Sequence, residues 1–264
     1  MGKNIINIEE LKAIQLSILD EVTCYCENNG LKYFLGYGTL IGAIRHKGYI
    51  PWDDDIDIIM PRPDYERLIN SFNATHNVRQ VIAHTLNSYY SLPFAKVYDT
   101  RTCLHETMYK DKGVFGVYID IFPLDGYGDV NQIKRINRLS EYLNAKKAVI
   151  DRQRSIKKNI IILIGKLLLL RKSIAQIVES MDIIAKTYSY ESSNRVKSFF
   201  SVYGENEVCE RVLLEETIKA EFEGKEYCVP KNYDAYLRLI YGDYMQLPPI
   251  EKRVTHHIFE AWWK

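Results

Sequence analysis

Residues 38–58 read Gly38-Thr39-Leu40-Ile41-Gly42-Ala43-Ile44-Arg45-His46-Lys47-Gly48-Tyr49-Ile50-Pro51-Trp52-Asp53-Asp54-Asp55-Ile56-Asp57-Ile58. A glycine and a hydroxyl open the stretch, an apolar and basic run follows, and an acidic tract leads into β-branched residues. Glycine lets phosphate approach the backbone closely, and a hydroxyl beside helix N-terminal amides can bind it. Side chains alternate along a strand, so an extended Asp55-Ile56-Asp57 puts Asp55 and Asp57 on one face. Two adjacent carboxylates repel, and both stay ionised at low cost only with a cation between them. Oxygen-only ligands select hard cations, so Mg²⁺ (or Mn²⁺) is the expected occupant.

The flanking segments suggest a fold of mixed character. Upstream, Leu11, Ile14, Ile18, Val22 and Tyr25 recur at helical spacing, which predicts a helix over 8–29. Asn7 with Glu10 resembles a capping box, and Gly30 is placed to end the helix. Residues 31–35 form a short strand candidate ending at Gly36-Tyr37-Gly38, and 39–46 look helical until Gly48. Residues 56–60 are the best buried-strand candidate, with Pro61-Arg62-Pro63-Asp64 as punctuation and a helix over 65–72. Further strands are expected over 78–84, 94–98, 102–106 and 117–122. After Gly126-Tyr127-Gly128 the strand signal fades through residue 200, and the C-terminal part is mixed again around 226–229 and 233–241. The expectation is an α+β fold in one domain: a core over 1–128, with a mainly helical elaboration over 129–264 completing the site.

Composition narrows the function. The 264 residues are 47% hydrophobic and 26% charged, as in an ordinary folded protein. A net charge of +1 lacks the basic excess of a nucleic-acid-binding domain, so no nucleic-acid partner is expected. The 20 tyrosines offer amphipathic rings suited to bases, sugars and quaternary ammonium groups. Five scattered cysteines form no CxxC pair, and the N-terminus lacks a signal-peptide core, so a cytoplasmic location is expected. Residues 160–170 are strongly apolar but for Lys166, and seven basic residues without an acidic one lie between Arg152 and Lys172. That segment reads either as an interfacial helix on the anionic inner face of a membrane or as a buried core helix with solvated ends.

A third carboxylate is expected from Val117-Tyr118-Ile119-Asp120-Ile121-Phe122, where Asp120 is a lone charge in an apolar strand. Asp125, just beyond, reads as a turn residue. An EF-hand loop counted from Asp53 fails, because its sixth and twelfth positions are Ile58 and Asp64 rather than Gly and Glu. An aspartate nucleophile of the haloacid-dehalogenase type should directly follow an apolar strand, which Asp55 does not. A glycosyltransferase DxD is the serious rival, and the upstream Gly38-Thr39 argues against it.

Gly38-Thr39, a helix, Asp55-Ile56-Asp57 and a distant Asp120 together look like the nucleotidyltransferase-fold pattern, with Gly-Thr for the commoner Gly-Ser. The run 38–58 further resembles the signature of the LicD family, bacterial phosphocholine transferases similar to the fukutin-related proteins that transfer ribitol phosphate. Ile119-Asp120-Ile121-Phe122-Pro123-Leu124-Asp125-Gly126 resembles a second family block, and Tyr241-Gly242-Asp243-Tyr244-Met245-Gln246-Leu247-Pro248-Pro249 a third. The resemblance implies a nucleotidyltransferase-like mixed sheet in which Asp55, Asp57 and Asp120 hold Mg²⁺. It also implies CDP-choline or another CDP-alcohol as donor, and a cell-surface glycan or its lipid-linked precursor as acceptor. The acceptor hydroxyl would attack the phosphorus bearing the small alcohol, CMP would leave, and a carboxylate such as Asp120 would take the proton. The alternatives are nucleotidyl transfer with release of pyrophosphate, and a non-catalytic adaptor at a membrane surface.

Arg45 and Lys47, between the glycine and the acidic tract, and Lys96, a charge on the apolar run 94–98, are expected to contact the diphosphate with Gly38 and Thr39. Trp52 reads mainly as packing. Asp53 and Asp54 read mainly as braces of the turn. His256-His257 diverge on any regular element and are not expected to ligate a metal together.

Overall fold

The computed structural model describes residues 3–106, 115–147, 160, 163, 172–253 and 259–264. The short strand β1 (Asn4–Ile5) leads into helix α1 (Ile8–Asn28). Asn7 Oδ1 accepts from the Glu10 N–H at 2.8 Å, satisfying a donor of the first turn. The Glu10 carboxylate accepts instead from Trp263 Nε1 at 2.8 Å, tying α1 to the last strand of the chain.

Next come β2 (Phe34–Leu35), α2 (Tyr37–Ile41), a π-helical turn over Gly42–His46, and β3 (Asp57–Pro61). Helix α3 (Arg62–Thr75) follows, then β4 (Arg79–Ile82), β5 (Ala95–Asp99), β6 (Thr102–Glu106) and β7 (Tyr118–Gly126). The central sheet has the order β2-β3-β7-β5-β4, with β3 and β7 parallel and the other neighbours antiparallel. All five residues of β3 are buried, as expected of an inner strand. Leu11, Ile18, Leu19 and Val22 of α1 and Tyr65, Leu68 and Phe72 of α3 belong to the same buried cluster as Ile58, Ile119 and Ile121 of the sheet.

Helix α4 (Val130–Lys147) packs on α5 (Ile174–Ala185), where Ile133, Ile136 and Leu143 meet Ile177, Val178 and Met181 in a second apolar cluster. Strand β8 (Arg195–Lys197) pairs with the end of β7 and with β9 (Cys209–Glu210). The hairpin β10 (Thr217–Phe222) and β11 (Lys225–Pro230) turns at Glu223-Gly224, both with positive φ, a tight turn matched to strand twist. Helix α6 (Tyr233–Tyr241) follows, and β12 (Phe259–Trp263) lies between β1 and β6. Among the described residues no helix is long and apolar enough to cross a membrane.

The fold is α+β as expected, with local corrections. The C-terminal half is less helical than expected: β8, β9, β10, β11 and β12 all lie there. Exposed positions at 217–219 and 225–226, many of them charged, give these short strands little of the apolar alternation that marks a strand in sequence. Helix α3 starts at Arg62, because proline fits the first helical turn, where its missing N–H costs nothing. Helix α2 starts at Tyr37, two residues earlier than expected, so Gly38 is a helical residue rather than part of the turn before the helix. Asp125 is not a turn residue: it lies within β7, is 1% exposed, and forms a two-pronged ion pair with Arg62 at 2.6 and 2.7 Å. Arg62 also meets Asp182 of α5 at 3.0 Å, so this buried arginine joins the sheet to the second cluster.

Candidate active site

Strand pairing assembles a row of three charged residues that are far apart in sequence. Asp57 of β3 is in register with Asp120 of β7, and Asp120 with Lys96 of β5. Lys96 Nζ lies 2.6 Å from Asp120 Oδ1 and 3.3 Å from the centroid of the Tyr118 ring. Asp57 is held on both sides of its backbone. Its N–H donates to Thr39 Oγ1 at 2.9 Å, and its carbonyl accepts from the Gly36 N–H at 2.9 Å. The Asp120 N–H donates to the Ile56 carbonyl at 2.9 Å, which locks the β3–β7 register at the site.

The acidic tract is a loop packed against this row. Asp55 lies just before β3, in the loop that leads into it, rather than within the strand that carries Asp57. Asp53, Asp54 and Asp55 offer carboxylate oxygens that all lie within 4.8 Å of one another. Asp53 closes against α2: a Cβ on Gly38 would fall 2.5 Å from Asp53 Oδ2. The glycine therefore makes room for a carboxylate. The loop is pinned by Gln15 of α1, whose Nε2 donates to the Asp54 carbonyl at 2.9 Å and to the Tyr118 carbonyl at 3.3 Å. Gln15 Oε1 accepts from the Tyr49 hydroxyl at 3.1 Å. The β10–β11 turn braces the other end, where Glu223 Oε1 accepts from the Tyr49 N–H at 3.0 Å.

These carboxylates disturb one another. Burial first, then the charges of Asp55, Asp120 and Asp53, hold the Asp57 carboxyl well above the usual range, against the opposing charge of Lys96. Burial and the charge and hydrogen bond of Asp55 push Asp53 up to about 8. An oxygen-only, net negative cluster of this kind fits a hard divalent cation, which would offset the repulsion that raises both groups. The residues that could hold one are Asp53, Asp54 and Asp55, whose carboxylate oxygens converge, with Asp57 and Asp120 in register on the adjoining strands.

The basic candidates lie in different settings. Arg45 is half-buried; its Nη1 donates to the Tyr244 carbonyl and its Nε to His46 Nε2 at 2.9 Å. Burial and then the charge of Arg45 lower the His46 pKa, in keeping with an accepting, neutral ring. Arg253 lies 5.4 Å from the Trp52 ring centroid and donates to the Pro248 carbonyl at 2.8 Å. Trp52 also meets His46 edge-on at 6.4 Å, so it packs, as expected. Lys47 is exposed and ends the π-helical turn in the left-handed region, φ 61°. Thr39 is 3% exposed and spends its hydroxyl as acceptor for Asp57.

Outside the expected site residues stand Gln15, whose polarity within an apolar helix face is a usable sequence signal, and the aromatic side chains Tyr37, Tyr203 and Tyr241. Asp53, expected mainly as a brace of the turn, joins the carboxylate cluster. Residues 152–171 other than Ile160 and Leu163, and His256-His257, lie outside the described residues.

Comparison with known proteins gives a consistent result. A family model described as LicD/FKTN/FKRP, nucleotidyltransferase domain, matches residues 30–135. The chain is 32% identical over 270 aligned positions to a lipopolysaccharide cholinephosphotransferase LicD of Haemophilus influenzae, covering 97% of this chain and 98% of that protein. It is also 32% identical over 102 residues to an uncharacterized protein of Rickettsia prowazekii, covering 38% of this chain and 34% of that one.

Proposed function

The chain belongs to the LicD family, and on that footing we propose that it transfers phosphocholine from CDP-choline to a hydroxyl of a cell-surface glycan, such as that of lipopolysaccharide or its lipid-linked precursor, releasing CMP. The observation that carries the reading is the register of Asp57 with Asp120, flanked by Asp53 and Asp55, in a chain alignable end to end with a cholinephosphotransferase.

Asp53, Asp55, Asp57 and Asp120 would hold Mg²⁺ (or Mn²⁺). Such an ion, when bound, neutralises diphosphate charge and makes a nearby hydroxyl more acidic. The chain's own groups do the rest. Lys96 fixes the Asp120 carboxylate through its 2.6 Å ion pair. Arg45 and Arg253 place positive charge beside Trp52, on the flank of the acidic loop, where the diphosphate can be received. The acceptor oxygen bonds to the phosphorus bearing choline, the bond from that phosphorus to the CMP oxygen breaks, and the acceptor proton passes to a carboxylate of the Asp57–Asp120 pair. A location on the cytoplasmic side, close to a membrane that carries the acceptor, suits this chemistry.

The test is incubation with CDP-choline, Mg²⁺ and a lipopolysaccharide acceptor, following nucleotide products by chromatography. CMP should appear together with choline in the glycan. Release of phosphocholine with CMP attached to the glycan instead, or release of pyrophosphate when CTP replaces CDP-choline, would replace this reading with nucleotidyl transfer.

A further inference from the structure

Beside the carboxylates runs an unbroken chain of aromatic rings. Phe94 stacks on Phe122 at 4.4 Å, Phe122 meets Tyr37 edge-on at 5.2 Å, Tyr37 stacks on Tyr203 at 5.3 Å, and Tyr203 meets Tyr241 at 5.0 Å and 69°. The middle rings, Tyr37 and Phe122, are buried, whereas Phe94, Tyr203 and Tyr241 are half-exposed. The Tyr37 end of the wall is rigid: its hydroxyl donates to Glu207 Oε1 at 2.7 Å, and Glu207 is anchored by Lys197 at 3.1 Å. The Tyr241 hydroxyl donates to the Tyr203 oxygen at 2.6 Å, which fixes the two rings nearly at right angles.

The two ends differ in charge. At the Phe94 end a cation is already seated, since Lys96 Nζ lies 5.7 Å from the Phe94 centroid as well as on Tyr118. Among the described residues no lysine or arginine lies over Tyr203 or Tyr241. This end adjoins the carboxylate strand through Tyr37, which stacks on Tyr203 and follows Gly36, whose N–H donates to the Asp57 carbonyl at 2.9 Å. Electron-rich ring faces next to carboxylates attract a cation that cannot donate hydrogen bonds.

We propose that Tyr203 and Tyr241, backed by Tyr37, wall the subsite that takes the quaternary ammonium group of the transferred alcohol. This rests on the phosphocholine reading above. Choline tethers its cation to phosphorus through two carbons, so the cation's site must adjoin the residues that handle the phosphate. The Tyr203–Tyr241 end does so through Tyr37, which stacks on Tyr203 and neighbours Gly36, the residue hydrogen-bonded to the Asp57 carbonyl.

The test is calorimetric titration of CDP-choline, CDP-glycerol and CMP, each with Mg²⁺, into the wild type and the Tyr203→Leu, Tyr241→Leu, Tyr203→Phe and Tyr241→Phe variants. The leucine variants should bind CDP-choline about 5–30-fold more weakly and CMP within about twofold of wild type; the phenylalanine variants should stay within about threefold for both. Equal weakening of CDP-choline and CMP would overturn the proposal in favour of rings that stack on the base. A wild-type preference for CDP-choline over CDP-glycerol that survives in folded leucine variants would overturn it alone. A wild type that prefers CDP-glycerol would overturn the phosphocholine reading and this inference with it. If the leucine variants do not fold, nuclear Overhauser contacts decide. Cross-peaks between the choline methyls of wild-type-bound CDP-choline and ring protons assigned through the phenylalanine variants are expected, and their absence would overturn the proposal.

Discussion

The Asp57 backbone N–H donates to the hydroxyl of Thr39 at 2.9 Å, so a helix residue 18 positions upstream supports the strand that carries a site carboxylate. Both groups are buried. Thr39→Val removes the acceptor while keeping the shape, leaving an amide with no replacement partner, and should cost about 1–3 kcal/mol in denaturant unfolding. Thr39→Ser restores the oxygen and should recover most of that. Equal stability of the valine and serine variants would show that the hydroxyl is not a support.

Asp57 is buried against like charges, so its removal should divide two effects. In the absence of metal, Asp57→Asn should unfold at a temperature equal to or above that of wild type, because a repulsive charge is gone. Mg²⁺ should stabilise wild type by mass action and stabilise Asp57→Asn much less. Transfer of choline should fall by at least about 100-fold, as loss of a charge-stabilising group in a catalytic site commonly causes. An undiminished Mg²⁺ response in the variant would remove Asp57 from the ion's ligands.

Gly38 and Gly42 sit on the same helical stretch but face different neighbours. A Cβ at Gly38 meets the end of the Asp53 side chain, whereas one at Gly42 meets the backbone carbonyl of Gly48. Gly38→Ala should therefore leave a folded protein with a weakened Mg²⁺-dependent thermal shift, since only a carboxylate has to move. Gly42→Ala should lower the unfolding temperature itself, because backbone cannot yield cheaply.

Arg62 holds two buried aspartates, Asp125 and Asp182. Arg62→Met would strand Asp125 and leave Asp182 with only His84 and Lys186, and should cost about 3–5 kcal/mol by denaturant titration. Arg62→Lys should also be destabilising, since a single ammonium cannot reproduce the two-pronged bond to Asp125.

The same cluster sets a pH dependence. Burial alone would raise Asp182, but the hydrogen bond from His84, the charge of Arg62 and the bond from Lys186 together hold it below the usual carboxylate range. A carboxyl with a depressed folded pKa contributes stability above its unfolded value, near 4, and loses it as pH falls below. The stability gap between wild type and Asp182→Asn should thus be full at neutral pH and narrow steadily below about pH 4. A gap that widened in acid would reverse the assignment.

The parts legible in sequence were those written in local pattern. Helix α1 follows from apolar spacing and Asn7, the inner strands β3, β5 and β7 follow from short apolar runs, and the reactive residue types follow from Asp55, Asp57 and Asp120 standing where hydrophobic neighbours make charge costly. The family blocks could be read for the same reason, being contiguous. The partners could not. That Asp120 stands between Asp57 and Lys96 depends on the register of strands up to 63 positions apart, and a shift of one residue would send a side chain to the opposite face. Asp125 changes from a presumed turn to a buried ion pair only because α3 brings Arg62 beside β7. Asp53 gains its place because Gly38 lies on α2 and leaves room for it. The sequence by itself determined the residue types of the candidate site and most of the elements that hold them. Only the tertiary structure decided which charges meet, because long-range pairing places them in contact and local periodicity carries no record of that pairing.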